Sequence, residues 1–433
     1  MWCQNKENPV MNENFLYYLW QYYFPGRTVA GTKGEIIDIF FPGQRNPDSG
    51  PDFFNGKVKI DNTLWAGNVE IHVHSSDWYR HGHQNDEHYD SIILHVVYED
   101  DKPVFRQNGQ PVATLEIKGK FDERLLDTYH GFLLSKQWVP CQEIITRAGH
   151  FQILQWLHRL AIERLERKAK EMQELLRKNK NDFREVFYQK LLQNYGFQTN
   201  AEAFARLARS LPYSVLAKHK DNLKQLESLL FGQAGMLNKV FRDEYPVQLQ
   251  DEYHFLSQKY NLVPIPSKAW RFMRMHPPNF PTIRIAQFAG LFYRSSSLLQ
   301  KMLEAERLGD VTSLLQTEAS PYWKTHYHFD KNGHARIKRM GKASINLLLI
   351  NTIIPFLFVY GRQTNRQPLS DKALEWLTLL PPEKNTFSRH FSDIGIKPDN
   401  ALQSQALIRL KLVYCNNKQC LHCGIGHQLL KSV

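Results

Sequence analysis

Strand-like segments are confined to the first 120 residues of this chain, and that division most limits what it can fold into. Runs at 35–41, 53–60, 64–73, 91–99 and 112–117 are rich in β-branched and aromatic residues, with Asn, Gly, Asp and Pro clusters between them. Ahead of them, residues 12–24 start on asparagine and stop at Pro25-Gly26, which reads as a capped helix. The polar segment 86–90 is suited to close a short helix. From Phe121 onward apolar residues recur instead at three- and four-residue spacing, over 151–178, 182–195, 201–210, 218–231, 283–304 and 343–359. The expected fold class is therefore α+β, an N-terminal mixed-sheet α/β module over residues 1–120 followed by a larger all-α domain over 121–433. A length of 433 residues suits about two to three domains.

The net charge of +12 divides unevenly along the chain. Residues 1–120 hold 11 Lys+Arg against 16 Asp+Glu, and residues 121–433 hold 44 against 27, balances of −5 and +17. An acidic module joined to a basic one suits an enzyme that handles a polyanion, so DNA or RNA is the expected partner. A basic surface also serves simply to keep a protein in solution. The helix near 161–178 mixes Arg and Lys with Glu, the pattern of a solvated face. Arg271, Arg274, His276 and Arg284 flank a proline-rich break containing Asn279 and Phe280, a set suited either to phosphate and stacking contacts or to surface salt bridges. No apolar run approaches the roughly 20 residues of a membrane span, and the greasiest stretch, 348–360, is interrupted by Asn351 and Pro355 and reads as a buried helix pair. Residues 1–11 lack the apolar core of a secretion signal, and five cysteines are too few for a disulfide framework in a chain of this size. A cytoplasmic protein without membrane association is expected. No Gly-rich phosphate loop, serine nucleophile elbow or dinucleotide fingerprint occurs, which disfavours kinases, P-loop ATPases and Rossmann dehydrogenases.

The densest chemistry lies between Pro51 and His95. Alternation through Val69-Glu70-Ile71-His72-Val73-His74 places Glu70, His72 and His74 on one strand face. Asp52 stands at the entry to the preceding strand, reached through a turn near Asp61-Asn62, so the two carboxylates converge across a hairpin. Such convergence is costly without a cation or a proton. Hard oxygen donors favour Mg²⁺ or Mn²⁺, and an adjacent imidazole tilts the preference towards Mn²⁺ or Zn²⁺. Asp52, Glu70 and His74 are the expected ligands at this acidic site. Six of the 18 histidines fall within residues 72–95, where an even scatter gives about one. His81-Gly82-His83, in a loop with Asp77, Trp78, Asp86 and Tyr89, offers further ligands. A zinc site built from His72, His74 and one of His81, His83 or His88 is a rival reading, and a polar loop beside a sheet is the plainest one. His95, within an apolar run, reads as a hydrogen-bonded core histidine.

Pro51-Asp52 followed by Glu70-Ile71-His72 resembles the PD-(D/E)XK nuclease-like motif. In that superfamily an aspartate and a Glu-x-Lys on adjacent strands hold the metal that activates water against a phosphodiester. The resemblance covers about residues 12–117, and the order of a helix, three strands, a short helix and a strand is similar too. It implies a restriction-endonuclease-like module, Mg²⁺ or Mn²⁺, and Asp52, Glu70 and His72 as catalytic residues, with His72 standing where the superfamily has lysine. A neutral imidazole there would accept the water proton or bind the metal. The expected function is a metal-dependent phosphodiesterase acting on DNA or RNA, with a non-catalytic nucleic-acid-binding or scaffold protein on a degenerate nuclease fold as the alternative. The whole chain also resembles the bacterial family called domain of unknown function 2851, which implies no activity.

Three of the five cysteines crowd into the last nineteen residues as Cys415-x4-Cys420-x2-Cys423. Three thiolates at that spacing suit one Zn²⁺ or an iron–sulfur cluster, and a fourth ligand is required. His427, His422 and the distant Cys141 are the candidates. Some nuclease families with a similar catalytic core carry an iron–sulfur staple built from separated cysteines. Reduced cysteines without metal, or a redox role, are the other readings.

Overall fold

The computed structural model describes residues 11–295 and 297–433. It divides into two compact units, one running up to Trp156 and taking in Leu410–Val433, the other Leu157–Arg409. The first unit thus adds to the sheet module a helix, a turn and the chain's C-terminal segment.

In the first unit, α1 (Glu13–Tyr22) starts where the Asn12 side chain accepts the Phe15 N–H at 3.0 Å. Phe15, Leu16, Leu19 and Trp20 on this helix are buried. Glu13 and Tyr17, four residues apart, share another face. The strands β1 (Thr28–Ala30), β2 (Ile36–Phe41), β3 (Gln44–Arg45), β4 (Phe53–Ile60) and β5 (Thr63–His74) pair antiparallel, with β3 joined to the end of β4. Next come α2 (Asp77–Arg80) and two 3-10 turns, His83–Asn85 and Glu87–Tyr89, where a short helix was expected at 86–90. This segment carries the chain back so that β6 (Ile92–Glu99) lies parallel to β5, and β7 (Thr114–Glu116) lies parallel to β6. Sheet order is β1-β2-β4-β5-β6-β7.

A strand with one wet face buries alternate residues, yet Val69, Glu70, Ile71 and His72 on β5 are all buried. Both faces are covered there, since α1 and α2 each pack on β5. A carboxylate and an imidazole are thereby carried into the interior. After β7 come α3 (Glu123–Leu134), a 3-10 turn at Ile145–Ala148 and the start of α4 (His150–Lys178). The ring of Tyr129 on α3 stacks on Phe15 of α1 with centroids 5.3 Å apart. The C-terminal segment contributes a 3-10 turn at Cys420–His422 and a final helix, Gly424–Lys431, packed on α3 and the Ile145–Ala148 turn. A Cβ on Gly426 would stand 2.2 Å from the Cys420 carbonyl oxygen. Gly426→Ala is therefore expected to destabilise this unit by about 1–3 kcal/mol, the range for forced overpacking, read as a lower midpoint in chemical denaturation.

The second unit is almost entirely helical, with a small hairpin at His326–His328 and Lys331–Asn332. The helix pair expected around residues 348–360 is instead one run, Lys342–Gln363, of 22 residues. A π-helical turn at Leu349–Ile353 precedes Pro355, and its wider winding admits a residue that lacks an N–H where a regular helix would break. The run is long and apolar enough to cross a membrane by length and composition, but 67% of its most apolar window is buried inside the protein. Phe183 and Phe187 pack edge-on against its Phe356. It serves as a core helix.

Candidate functional site

The register pairs Phe53 with Val69, which sets Asp52 beside Glu70. The two carboxylates interlock through the backbone. The Asp52 N–H donates to Glu70 Oε2 at 3.1 Å, and the Ile71 N–H donates to Asp52 Oδ2 at 3.0 Å. Burial, and then the charge of Glu70, push the Asp52 carboxyl up to about 7. Burial pushes Glu70 up to about 8, against the opposing pull of the Asp52 N–H. Two carboxyls held this way near neutral pH are an uncompensated pair that a divalent cation would satisfy.

Two residues of α1 complete the acidic side, and the motif reading had not included them. The Tyr17 hydroxyl donates to Glu13 Oε2 at 3.4 Å, and Glu13 adds a third negative charge that raises both the Asp52 and Glu70 carboxyls further. Their sequence signal is the i, i+4 pairing of a carboxylate and a phenol on the first helix. The Arg45 guanidinium lies 4.1 Å from the centre of the Tyr17 ring.

Imidazoles close the other side. His72 Nδ1 is 2.8 Å from His95 Nε2, and His72 Nε2 is 3.1 Å from His81 Nδ1 and 3.6 Å from Glu70 Oε1. His83 Nε2 lies 3.2 Å from the same Glu70 oxygen without hydrogen-bond geometry, and its ring stacks on Tyr89 at 3.8 Å. Among the described residues, His72, His81 and His83 form a group whose ligand atoms all lie within 4.8 Å of one another. Burial, with His95, His83, His81 and Arg80 adding to it, lowers His72 to about 2, and burial lowers His95 to about 3. Both rings are neutral at physiological pH, so the His72–Glu70 approach is a dipolar contact and not an ion pair. With His72 Nδ1 engaged by His95, its Nε2 faces the carboxylate and the other rings. A second imidazole orienting a ligand imidazole is a common support for a bound metal.

The placement of the remaining expected residues is mixed. His95 is fully buried and hydrogen-bonded, as its apolar run implied. His74 shares the strand with Glu70 but is exposed at its end, with its N–H bonded to Asp77; the imidazoles that converge with His72 are those of His81 and His83. His88 is exposed and paired with Asp86. In the second unit, the Arg284 guanidinium is buried and bound to Asn279, Gln287 and Ser344 at 2.6–2.9 Å, over the Phe197 ring. It holds the proline break together, whereas Arg271, Arg274 and His276 are exposed.

Cys141, Cys415, Cys420 and Cys423 line one small cavity of the first unit, together with Val139, Ile145 and other residues. All four are free thiols. Of the alternative fourth ligands, His422 is exposed and the His427 ring packs edge-on against Tyr18 and Tyr22 of α1.

The sequence model of the family described as protein of unknown function (DUF2851) matches residues 13–386. The chain belongs to that family. The match takes in Asp52, Glu70, the histidines and Cys141, and ends before Cys415. No curated protein and no solved structure matches the chain.

Proposed function

We propose that the first unit is a metal-dependent phosphodiesterase of nuclease-like fold acting on DNA or RNA. The observation that carries the reading is the interlocked Asp52–Glu70 pair facing three imidazoles, in which Glu70 Oε1 stands 3.2 Å from His83 Nε2 and 3.6 Å from His72 Nε2. Two carboxyls raised towards neutrality and neutral, lone-pair-bearing rings are the donor set of a divalent cation, and the imidazoles favour Mn²⁺ or Zn²⁺ over Mg²⁺. Two further features support the reading. The antiparallel strands β2, β4 and β5 are followed by a helical segment and the parallel strand β6, with Asp52 immediately before the second strand of that order and Glu70 on the third. The +17 balance of residues 121–433 supports a polyanionic substrate.

Asp52, Glu70, His72, His81 and His83 would hold the ion, and such an ion supplies Lewis acidity and lowers the pKa of water. The residues contribute the rest. His95 fixes the His72 ring through its 2.8 Å contact. Tyr17 holds the Glu13 side chain, and Glu13 keeps the local field negative, favouring cation entry over approach of a bare phosphate. His81, exposed at the edge of the group, marks the side open to substrate.

A second reading has an observation of its own. The superfamily's lysine offsets charge, whereas His72, lowered to about 2, stays neutral. A nucleic-acid-binding scaffold that has lost turnover fits that difference. One assay separates the two: purified protein is incubated with single- and double-stranded DNA and RNA in Mg²⁺, Mn²⁺ or Zn²⁺, beside Asp52→Ala. Metal-dependent cleavage lost in the variant is expected. Binding without cleavage in every metal favours the scaffold, and cleavage that survives in Asp52→Ala overturns the site.

A further inference from the structure

The second concentration of ligand chemistry in the first unit is independent of the acidic site. Cysteines from positions 141, 415, 420 and 423 are brought to one cavity across more than 270 residues of sequence, and the walls between them are largely apolar, with Val139, Ile145, Leu410 and Ile425. We propose that these four cysteines ligate a metal centre, one zinc ion or an iron–sulfur cluster, that ties the C-terminal segment to the turn beginning at Val139.

Three observations carry it. The first is convergence: four free thiols share one small enclosure, three of them buried. Buried thiols are usually scattered as small apolar residues. Four around one space are a ligand set. The second is sequence spacing: Cys415-x4-Cys420-x2-Cys423 sets three of the four cysteines on one short, turn-rich segment, the local arrangement of thiolate ligands to zinc or to an iron–sulfur cluster. The third is the placement of donors. Cys423 is the N-cap of the helix Gly424–Lys431, so it stands where the unpaired N–H groups of a helix start favour a thiolate. Gly426 also lies so close to Cys420 that a side chain has no room there, which keeps the Cys420–Cys423 turn tight.

The role that follows is structural. The Cys420 turn packs on α1 and α3, and Tyr129 of α3 stacks on Phe15 of α1, the helix that carries Glu13 and Tyr17. Closing the four sulfurs around that centre would fix the C-terminal segment on the elements that support the acidic site, and the centre takes part in no step of phosphodiester cleavage.

The test uses the full chain purified without oxygen. A stoichiometric bound metal is the expected result: one zinc per chain identifies a mononuclear site, and iron with acid-labile sulfide in near-equal amounts, with a broad visible absorption that bleaches on reduction, identifies a cluster. In Cys141→Ser that metal is expected to be lost together with a lowered denaturation midpoint. Absence of both metals, with all four thiols open to alkylation in the native protein, overturns the site. Where Cys141→Ser fails to fold, alkylation of the wild-type chain decides: protection of Cys141 together with the three C-terminal cysteines, lost in concert on chelation, is expected, and independent reactivity of Cys141 overturns its membership. None of these readouts depends on nucleic-acid cleavage, so failure here leaves the phosphodiesterase reading to be judged by its own assay.

Discussion

Glu70→Gln is expected to lower metal-dependent cleavage by on the order of a thousandfold while leaving the chain folded. Glutamine has the shape of glutamate, and its carbonyl oxygen can still accept the Asp52 N–H that Glu70 Oε2 now accepts at 3.1 Å. The loss falls on charge. Glu70 Oε1 is the atom shared by His72 and His83, so an amide there removes the anionic donor around which the neutral rings are gathered. Binding of Mn²⁺, followed by calorimetry on chelator-treated protein, is expected to weaken in parallel. A variant that keeps full cleavage and full Mn²⁺ affinity would remove Glu70 from the site. One that loses cleavage and keeps affinity would leave the metal on Asp52 and the imidazoles, and restrict Glu70 to handling protons.

How much of this was legible in the chain depends on the range of the interaction. Strands β4 and β5 and the Glu70–His72 face follow from local alternation, a property of neighbouring residues, and the hairpin between them carries Asp52 to Glu70. His74 shows where that reasoning stops. Alternation puts it on the same face as Glu70, but the covering segment packs over Glu70 and His72 and leaves the end of β5 exposed. His81 and His83 reach the site because α2 and the following 3-10 turns fold back over the sheet, and such turns have no periodicity to read. The same limit applied to Cys141. The C-x4-C-x2-C run is local and visible, whereas the partner from the far side of the chain depends on how the C-terminal helix packs on α3 and the Ile145–Ala148 turn. Lys342–Gln363 is the reverse case, in which a local break signal at Pro355 was absorbed by a π-helical turn. Arg284, read beside its exposed neighbours as a surface residue, is the buried organiser of its own loop.

The same burial that arms the acidic site should be measurable as a pH-dependent strain on the metal-free fold. A carboxyl whose folded pKa lies above its unfolded value stabilises most at low pH and loses that contribution as pH rises through the folded value. Asp52, raised to about 7, and Glu70, raised to about 8, therefore weaken the fold progressively above about pH 4. Imidazoles lowered by burial act with the opposite sign: His72 and His95 give their contribution above the unfolded value near 6.5 and lose it as pH falls. Between about pH 4 and 6.5 the two sets oppose one another, and above about 6.5 the carboxyls act alone. In chelator, Glu70→Gln is thus expected to gain stability relative to the wild-type chain as pH rises, by on the order of 3 kcal/mol at about pH 8, since one pKa unit is worth about 1.4 kcal/mol and the pair titrates as a unit. Adding Mn²⁺ should reverse the order, because the cation offsets the very charges that the amide removes. Urea denaturation of both proteins across this range, with and without Mn²⁺, measures each effect. A wild-type-to-variant difference that does not change with pH would mean that Glu70 is ordinarily solvated, and would remove the electrostatic basis for a cation between Asp52 and Glu70.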